Sequence, residues 1–318
     1  MPDVVYLDNN ATTAVAPEVR EAMMPYLTEL YGNPSSIHTF GGQVAATVEA
    51  ARESVAKLIG AAPGEVVFTS CGTESDSTAI LSALACQENR RHVVTSRVEH
   101  PAVRNLCRHL ADKHDYRVTE VGVDSRGRLD MDRYREAVDE DTAVVSIMWA
   151  NNETGVIFPV ERCAEIAKAH GALFHTDAVQ IVGKVPMNLA DSAIDMLSLS
   201  GHKLHAPKGV GALYVRRGTP FVPWLRGGHQ EMNRRAGTEA VPQNVALGEA
   251  VLFDVRPVDV NGQYLARAFF PNEPRWGRNV LIDESAFDLE PGGQLQLAGI
   301  LRHELGHTLG FRHEHTRP

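Results

Sequence analysis

The sequence predicts an α/β fold, with a mainly parallel sheet covered by helices on both faces and a shorter α+β segment after it. Two observations carry this prediction. Amphipathic helical stretches alternate with short apolar runs from about residue 44 onward, and the spacing of strand, helix and strand is typical of parallel sheets. With 318 residues, of which 43% are hydrophobic, the chain is long enough to bury a large core.

The elements follow in chain order. VAATVEAARESVAKLIG (residues 44–60) places alanine, valine and leucine along one stripe, which predicts a helix, and EVVFTS (65–70) after it predicts a short buried strand. A second helix is predicted at VERCAEIAKAHG (160–171). Further apolar runs predict buried strands at HVVTS (92–96), TAVVSIMWA (142–150), ALFHTDAV (172–179) and IDMLSLS (194–200). In such a sheet, functional groups are expected in the loops that follow the strands.

The character of the sequence changes near residue 250, which predicts one unit over residues 1–250 and another over 251–318. The regular alternation stops there, four of the seventeen prolines lie within residues 246–293, and the sequence of this stretch indicates short antiparallel strands. LQLAGILRHELGHTLG (295–310) then predicts a helix that ends at Gly310.

Composition excludes several classes of function. The formal net charge of −9 argues against a nucleic-acid surface built from excess lysine and arginine. Four cysteines, spread without a CxxC pair, are typical of reduced thiols, and no export signal or membrane span is visible. We therefore expect a cytoplasmic protein that binds neither nucleic acid nor membrane.

Three polar positions follow predicted strands. The small and hydroxyl residues of CGTESDSTAI stand where a helix N-terminus favours a phosphate, although an ordinary N-cap cluster is the simpler explanation of this motif alone. Asp177 ends an apolar strand, where it can cap a helix or face a bound cation such as the pyridinium of pyridoxal 5′-phosphate (PLP). Lys203 follows another strand, where it is either solvated or able to form an imine with an aldehyde cofactor.

Eight consecutive segments then carry a family resemblance over roughly the first 250 residues. They are YLDNNATT, GNPSSIHTFG, FTSCGTESDSTAI, VEHPAV, MWANNETG, FHTDAVQIVGK, SLSGHKLHAPKGVGALYVRRGT and RGGHQEMNRRAGTE. In this order they resemble the signatures of cysteine desulfurases of the nitrogen-fixation (NifS) type. These are PLP enzymes of fold-type I in aminotransferase class V, so the resemblance implies their seven-stranded sheet.

The resemblance also implies roles for individual residues. Lys203 would be the Schiff-base lysine, Asp177 the partner of the ring nitrogen, and His100 the group that stacks on the ring and shuttles protons. The remaining implied cofactor contacts are Gln180 and Asn152 near the phenolic oxygen, Gly72, Thr73, Ser200 and His202 at the phosphate, and Thr238 at the phosphate of the other subunit. The last contact implies a homodimer.

The implied reaction converts L-cysteine to alanine and leaves the sulfur as a persulfide for iron–sulfur cluster assembly, with a scaffold protein as a possible sulfur acceptor. In the family the persulfide forms on a cysteine well beyond the RRAGTE segment. This chain has no cysteine after Cys163. We therefore expect PLP binding together with impaired desulfuration.

A second motif, HELGHTLGFRH, indicates zinc. His303 and His307 share one helix face, and His313 follows a glycine turn, so that three imidazoles can bind the metal with Glu304 as general base. A histidine-rich solvated helix is the alternative. The segment resembles the metzincin metalloproteases, which implies a zinc-dependent endopeptidase, but the sequence ends at Pro318, before a Met-turn. A further alternative is an inactive composite of two truncated enzymes that binds only PLP and zinc.

Overall fold

The computed structural model describes residues 8–252 and the backbone of three later strands. A seven-stranded sheet forms the centre of this part. Its strands are β1 (Val66–Thr69), β2 (His92–Ser96), β3 (Arg117–Val121), β4 (Thr142–Ser146), β5 (Leu173–Asp177), β6 (Met196–Ser200) and β7 (Gly211–Val215). Five of them coincide with the apolar runs that predicted buried strands, so this part of the prediction is confirmed.

The strands lie in the order β1-β7-β6-β5-β4-β2-β3. Neighbours from β6 to β3 pair in parallel, whereas β7 runs antiparallel to both β1 and β6. Only a short connection with one 3-10 turn, Gly201–Lys203, joins β6 to β7. A parallel neighbour needs a longer crossover, so β7 has to reverse direction. The predicted mainly parallel sheet is confirmed.

Helices cover both faces of the sheet, as predicted. They are α1 (Pro17–Met23), α2 (Pro25–Thr28), α3 (Thr39–Ile59), α4 (Gly72–Cys86), α5 (Pro101–His114), α6 (Met131–Ala137), α7 (Val160–Ala169), α8 (Gln230–Asn233) and α9 (Val241–Ala250). The two predicted helices correspond to α3 and α7. Helix α3 begins five residues earlier than its apolar stripe, because the His38 side chain accepts a hydrogen bond from the Gly41 backbone N–H and caps the first turn.

Two hydrophobic cores lie on opposite sides of the sheet. Val93 and Val94 are adjacent in β2 and both fully buried, yet they enter different cores, as the alternation of side chains along a strand requires. One core packs under α4 and α5, and the other under α3, α7 and α9. Burial on both faces explains why the central strands have continuous apolar sequences.

Helix α9 packs closely against α3 at a glycine. A Cβ atom on Gly248 would lie 2.5 Å from both the Cα and the Cβ of Ala51, a distance that side chains do not tolerate. The glycine–alanine pair therefore lets the two helix backbones approach closely.

Three short strands follow residue 252, and the direction of one strand pair differs from the prediction. They are β8 (Val255–Val258), β9 (Ala266–Arg267) and β10 (Val280–Asp283). β10 pairs antiparallel with β9 but parallel with β8, so the expectation of antiparallel strands holds for one pair only. The predicted zinc helix at 295–310 lies outside the described residues. Within the described part, no helix has both the length and the apolar character needed to cross a bilayer.

Candidate active site

A cavity of about 490 Å³ opens where several strands of the sheet end. Gly72 follows β1, Asp177 is the last residue of β5, and Ser200 is the last residue of β6, and all three line the cavity. Polar groups at the carboxyl ends of the strands are typical of ligand sites in open α/β sheets.

Asp177 lies at the inner wall of the cavity and is only 6% exposed. Its Oδ1 accepts a hydrogen bond of 3.0 Å from the Val179 backbone N–H. Burial raises the pKa of this carboxyl, although the Val179 hydrogen bond and the charges of His100 and Lys203 act in the opposite direction. A carboxylate in this position is stabilised by a cationic partner inside the cavity.

Lys203 ends the short turn after β6 and brings an amine into the same cavity. Its Nζ donates hydrogen bonds to the backbone oxygens of Asn10 and Ala11, the second at 3.0 Å. Burial lowers the pKa of the amine, and the negative charges of Asp177 and Asp8 partly offset that effect. A lower pKa increases the fraction of neutral amine, which is the form that attacks an aldehyde.

The segment 8–13 lies across the site and connects its walls. The Gln180 side chain donates to the Asn10 backbone oxygen at 3.0 Å, and the Asn10 side chain donates to the backbone oxygen of Asn152 at 3.3 Å. The His202 ring lies 3.1 Å from the hydroxyl of Thr12. Residues that are 142 to 190 positions apart in the sequence are thus joined at this site.

The start of α4 forms another wall. Gly72 begins this helix directly after Cys71, and a Cβ there would lie 2.9 Å from the Val179 side chain, so glycine lets the two loops approach each other. Glu74 in the first turn forms two hydrogen bonds with Arg235, of 2.8 and 3.1 Å. The unpaired backbone N–H groups of such a first turn bind anions.

His100 caps the start of α5 and lines the cavity. Its Nδ1 accepts a hydrogen bond of 3.2 Å from the Ala102 backbone N–H. In the neutral ring the proton therefore resides on Nε2, which leaves that nitrogen as a donor.

The structure brings most of the residues named from the sequence into this cavity. Those that line it are Gly72, Thr73, His100, Asn152, Asp177, Gln180, Ser200, His202 and Lys203. Thr238 is exposed and is not among the described residues that line it. Glu304, His303, His307 and His313 lie outside the described residues.

Sequence reasoning did not assign roles to several other residues of the cavity wall. They are Asp8, Asn10, Ala11, Asp76, Met148, Ala150, Glu153 and Val179. The first three belong to the YLDNNATT segment, so its density of polar residues was a usable signal. Asp76 has the sequence appearance of an ordinary helix residue and gives no such signal.

Two family models match the chain. The model described as aminotransferase class-V matches residues 5–255, which is most of the sequence. The model described as matrixin matches residues 241–318.

Curated relatives agree with the first of these matches. "Cysteine desulfurase 2" of Trichormus variabilis is 61% identical over 247 residues, a stretch that covers 78% of this chain and 62% of the relative. "Cysteine desulfurase NifS" of Azotobacter vinelandii is 60% identical, with coverage of 77% and 61%. The chain thus spans less than two thirds of the length of these relatives.

Solved structures show the same architecture. A structure titled "NIFS-LIKE PROTEIN" has a TM-score of 0.75 and 44% identity, covering 78% of this chain and 68% of that one. One titled "SspA in complex with cysteine" has a TM-score of 0.76 and 38% identity, with coverage of 82% and 75%.

Proposed function

Because the chain belongs to the aminotransferase class-V family, we propose that its cavity holds PLP and that the protein acts as a cysteine desulfurase on L-cysteine. The observation that carries the proposal is that one cavity combines an amine of lowered pKa, on Lys203, with the buried carboxyl of Asp177. The amine can react with the aldehyde of PLP, and the carboxyl can pair with its pyridinium nitrogen.

Three features of the cavity fit this cofactor. The buried Asp177 needs a cationic partner, which the ring nitrogen would be. The first turn of α4 offers backbone N–H groups to a phosphate, at the small residues Gly72 and Thr73. Ser200 and His202 complete the polar wall there, so we assign these four residues to the phosphate.

A second copy of the chain would contribute to each site. Thr238 is exposed, and the family resemblance implies that it contacts the phosphate bound by the other subunit. We therefore include a homodimer in the proposal.

The remaining assignments concern the reacting side of the cofactor. When bound, PLP supplies an aldehyde that captures amines and a ring that withdraws electrons. Lys203 would hold the cofactor and carry a proton at Nζ, while His100 would cover the ring and donate from Nε2. Gln180 and Asn152 would hydrogen-bond near the phenolic oxygen. Asn10 contacts the side chain of Gln180 and the backbone oxygen of Asn152.

The proposed products are alanine and a sulfur atom held as a persulfide on a thiol. A sulfur-acceptor protein of iron–sulfur cluster assembly would take the sulfur onward. The desulfurase reaction in this proposal is supported by relatives that carry the name cysteine desulfurase, one of them named NifS.

The test compares two lysines of one loop region. Wild type with PLP should show the visible absorption band of lysine-bound PLP, and borohydride should remove that band. Purified Lys203→Ala should lack the band. Lys208→Ala is the matched control, because Lys208 is exposed and does not line the cavity. A colourless wild type, or an unchanged band in Lys203→Ala, contradicts the proposal.

The matrixin match supports a second candidate for the final segment, a zinc-dependent endopeptidase. We propose a separate unit from about residue 251, with zinc held by His303, His307 and His313 and with Glu304 as general base. Among the described residues, no cluster of three or more histidine, cysteine or acidic side chains is suited to a metal. Metal analysis should find one zinc in wild type and in His315→Ala, and less in His307→Ala. Equal zinc in all three contradicts this candidate.

A further inference from the structure

Asp76 is an acidic residue of the cavity that the proposed chemistry does not use. It lies in α4, lines the cavity and is only 1% exposed. Its Oδ1 is buried without a hydrogen-bond partner, and the nearest basic group is Nε2 of His175, at 3.6 Å. A fully buried carboxylate that has one unpaired oxygen and no neighbouring cation is energetically unfavourable, so its protonation state needs an explanation.

The surroundings of Asp76 are rich in acidic groups. Burial raises the pKa of Asp76 most strongly, and the groups of Asp177, Glu99 and Cys71 raise it further whenever they are ionised. The Ser198 hydroxyl lowers it by hydrogen bonding but carries no charge. Each nearby acid therefore favours the protonated form of Asp76.

His175 does not supply the missing positive charge. Its Nδ1 lies 2.9 Å from the Ser146 hydroxyl and its Nε2 lies 2.9 Å from the Ser198 hydroxyl. Burial lowers the pKa of the ring to about 3, so the histidine is neutral at physiological pH. The positive charge of Lys203, by contrast, favours the ionised form of Asp177.

We propose that Asp76 is a positioning residue, which stays protonated and thereby confines the single negative charge of the buried carboxyl pair to Asp177. The inference rests on the proposed PLP site, because the charge on Asp177 is useful only toward a cationic ring. Asp177 keeps one oxygen on the Val179 N–H, and the neutral Asp76 acid, which lines the same cavity, does not compete for the cation.

This arrangement has a physical advantage. Two ionised carboxylates in one buried wall repel each other, and such pairs share one proton. An uncharged acid also fits beside the neutral chain of Ser146, His175 and Ser198, which brings no positive charge to it. Asparagine has almost the same shape as a protonated aspartic acid, and should replace it.

The first arm of the experiment needs no cofactor. Infrared difference spectra at about pH 7 should show the carbonyl band of a protonated acid that is present in wild type and lost in Asp76→Asn. Glu99→Gln identifies the separate band of Glu99, whose pKa burial raises to about 8. When the pH is raised, the Asp76 band should disappear at a lower pH in Asp177→Asn than in wild type. The absence of an Asp76 band, or a midpoint unaffected by Asp177→Asn, overturns the inference.

The second arm measures PLP titrations. Asp76→Asn should bind PLP within about twofold of wild type, with the same pH midpoint of the visible band, whereas Asp76→Val should bind about 10-fold more weakly. Wild-type affinity in Asp76→Val, or a midpoint moved by more than about half a pH unit in Asp76→Asn, overturns the inference. If Asp76→Val does not fold, Asp76→Asn and the infrared spectra decide. Wild type that binds no PLP refutes the proposed function, while the infrared arm still decides the state of Asp76.

Discussion

His175 lies two residues before Asp177 in β5, with no exposed surface. Both ring nitrogens contact serine hydroxyls, and neither contact supplies a negative charge. Protonating the ring in the folded state would bury a cation, which is why burial lowers its pKa from 6.5 to about 3. The unfolded chain takes up this proton much earlier as the pH falls.

The pH dependence of stability follows with a definite sign. The contribution of His175 is present in full above pH 6.5 and is lost as the pH falls toward 3, because the unfolded state binds the proton first. Between pH 6.5 and about 4.5, wild type should lose about 2 to 3 kcal/mol more of its unfolding free energy than His175→Asn does. Urea denaturation at several pH values measures this difference. His170→Asn, at an exposed position, is the control and should follow wild type.

At the scale of single residues, the sequence identified functional candidates next to strand ends but did not identify their buried partners. Asp177 and Lys203 were identified because each follows an apolar strand. Asp76 was not, since its role depends on His175 and Asp177, which reach it only through sheet packing. The sequence pattern shows which residues end a strand, but it does not show which buried residues the folded sheet brings together.

The contact between α3 and α9 gives a prediction about packing. Gly248→Ala should lower the unfolding free energy by about 1 to 3 kcal/mol, because the new Cβ forces the helices apart at Ala51. Gly42→Ala is the matched control within α3, since no atom lies within 4 Å of the added Cβ. That variant should gain about 0.5 to 1 kcal/mol from helix propensity. Thermal melts compare the two, and equal shifts would contradict the close approach of the helices.

Arg235 connects the loop before α9 to the start of α4. Its guanidinium forms a two-pronged contact with Glu74, which also accepts a hydrogen bond from the Ser70 backbone N–H. Arg235→Lys keeps the charge and loses the planar fork. Glu74 is then less well neutralised beside the proposed phosphate position, and PLP affinity should fall by about 10-fold.

The matched control for this prediction is the adjacent arginine. Arg234 donates to the Gly64 backbone oxygen at 2.7 Å and makes no contact with α4 among the described hydrogen bonds. Arg234→Lys should therefore bind PLP like wild type. A similar loss of PLP affinity in both variants would show that the loop, and not the contact with Glu74, is responsible.

Elements differ in how far the sequence predicted them. Continuous apolar runs predicted the strands that are buried on both faces, such as β2 and β5. β3 was missed because it lies at an edge of the sheet and has polar, partly exposed residues. β7 is fully buried, but its apolar run stands within a segment that was interpreted through Lys203 alone.

The thiols of the whole chain lead to a prediction about turnover. Burial raises the pKa of Cys107 and of Cys163 to about 12, and it also raises that of Cys86. Cys71 lines the cavity, but beside the proposed phosphate position. Three of the four thiols therefore have a raised pKa, and the fourth, Cys71, lies away from the reacting side of the cavity. A sulfur acceptor requires both a low pKa and a place on that side.

Alanine release from L-cysteine by the 318-residue chain should therefore depend on an added thiol. Without dithiothreitol we expect a rate at least about 10-fold lower, because no tethered thiolate provides a high effective concentration. Mass spectrometry should find no persulfide on Cys86, Cys107 or Cys163. Thiol-independent turnover with a persulfide on one of these residues would contradict the prediction.

At the scale of the molecule, the fold of residues 8–252 was predictable because pattern, spacing and motif order all indicated the same architecture. The parallel pairing of β8 with β10 was not, because strand direction in short segments depends on long-range contacts. The division near residue 250 remains a prediction.

The position of β7 between β1 and β6 also determines when the site can first exist. β1 carries the helix start proposed for the phosphate, and in the described sheet it pairs with β7 alone. β7 leaves the ribosome about 140 residues after β1, which takes about 7 to 30 s at ordinary elongation rates. During that interval β1 has an unpaired edge, and residues 8–13 have no turn at Lys203 to bind. The nascent chain therefore passes through a stage at which five of the seven strands can pair while the cofactor site is absent, and at that stage chaperones have a strand edge to protect.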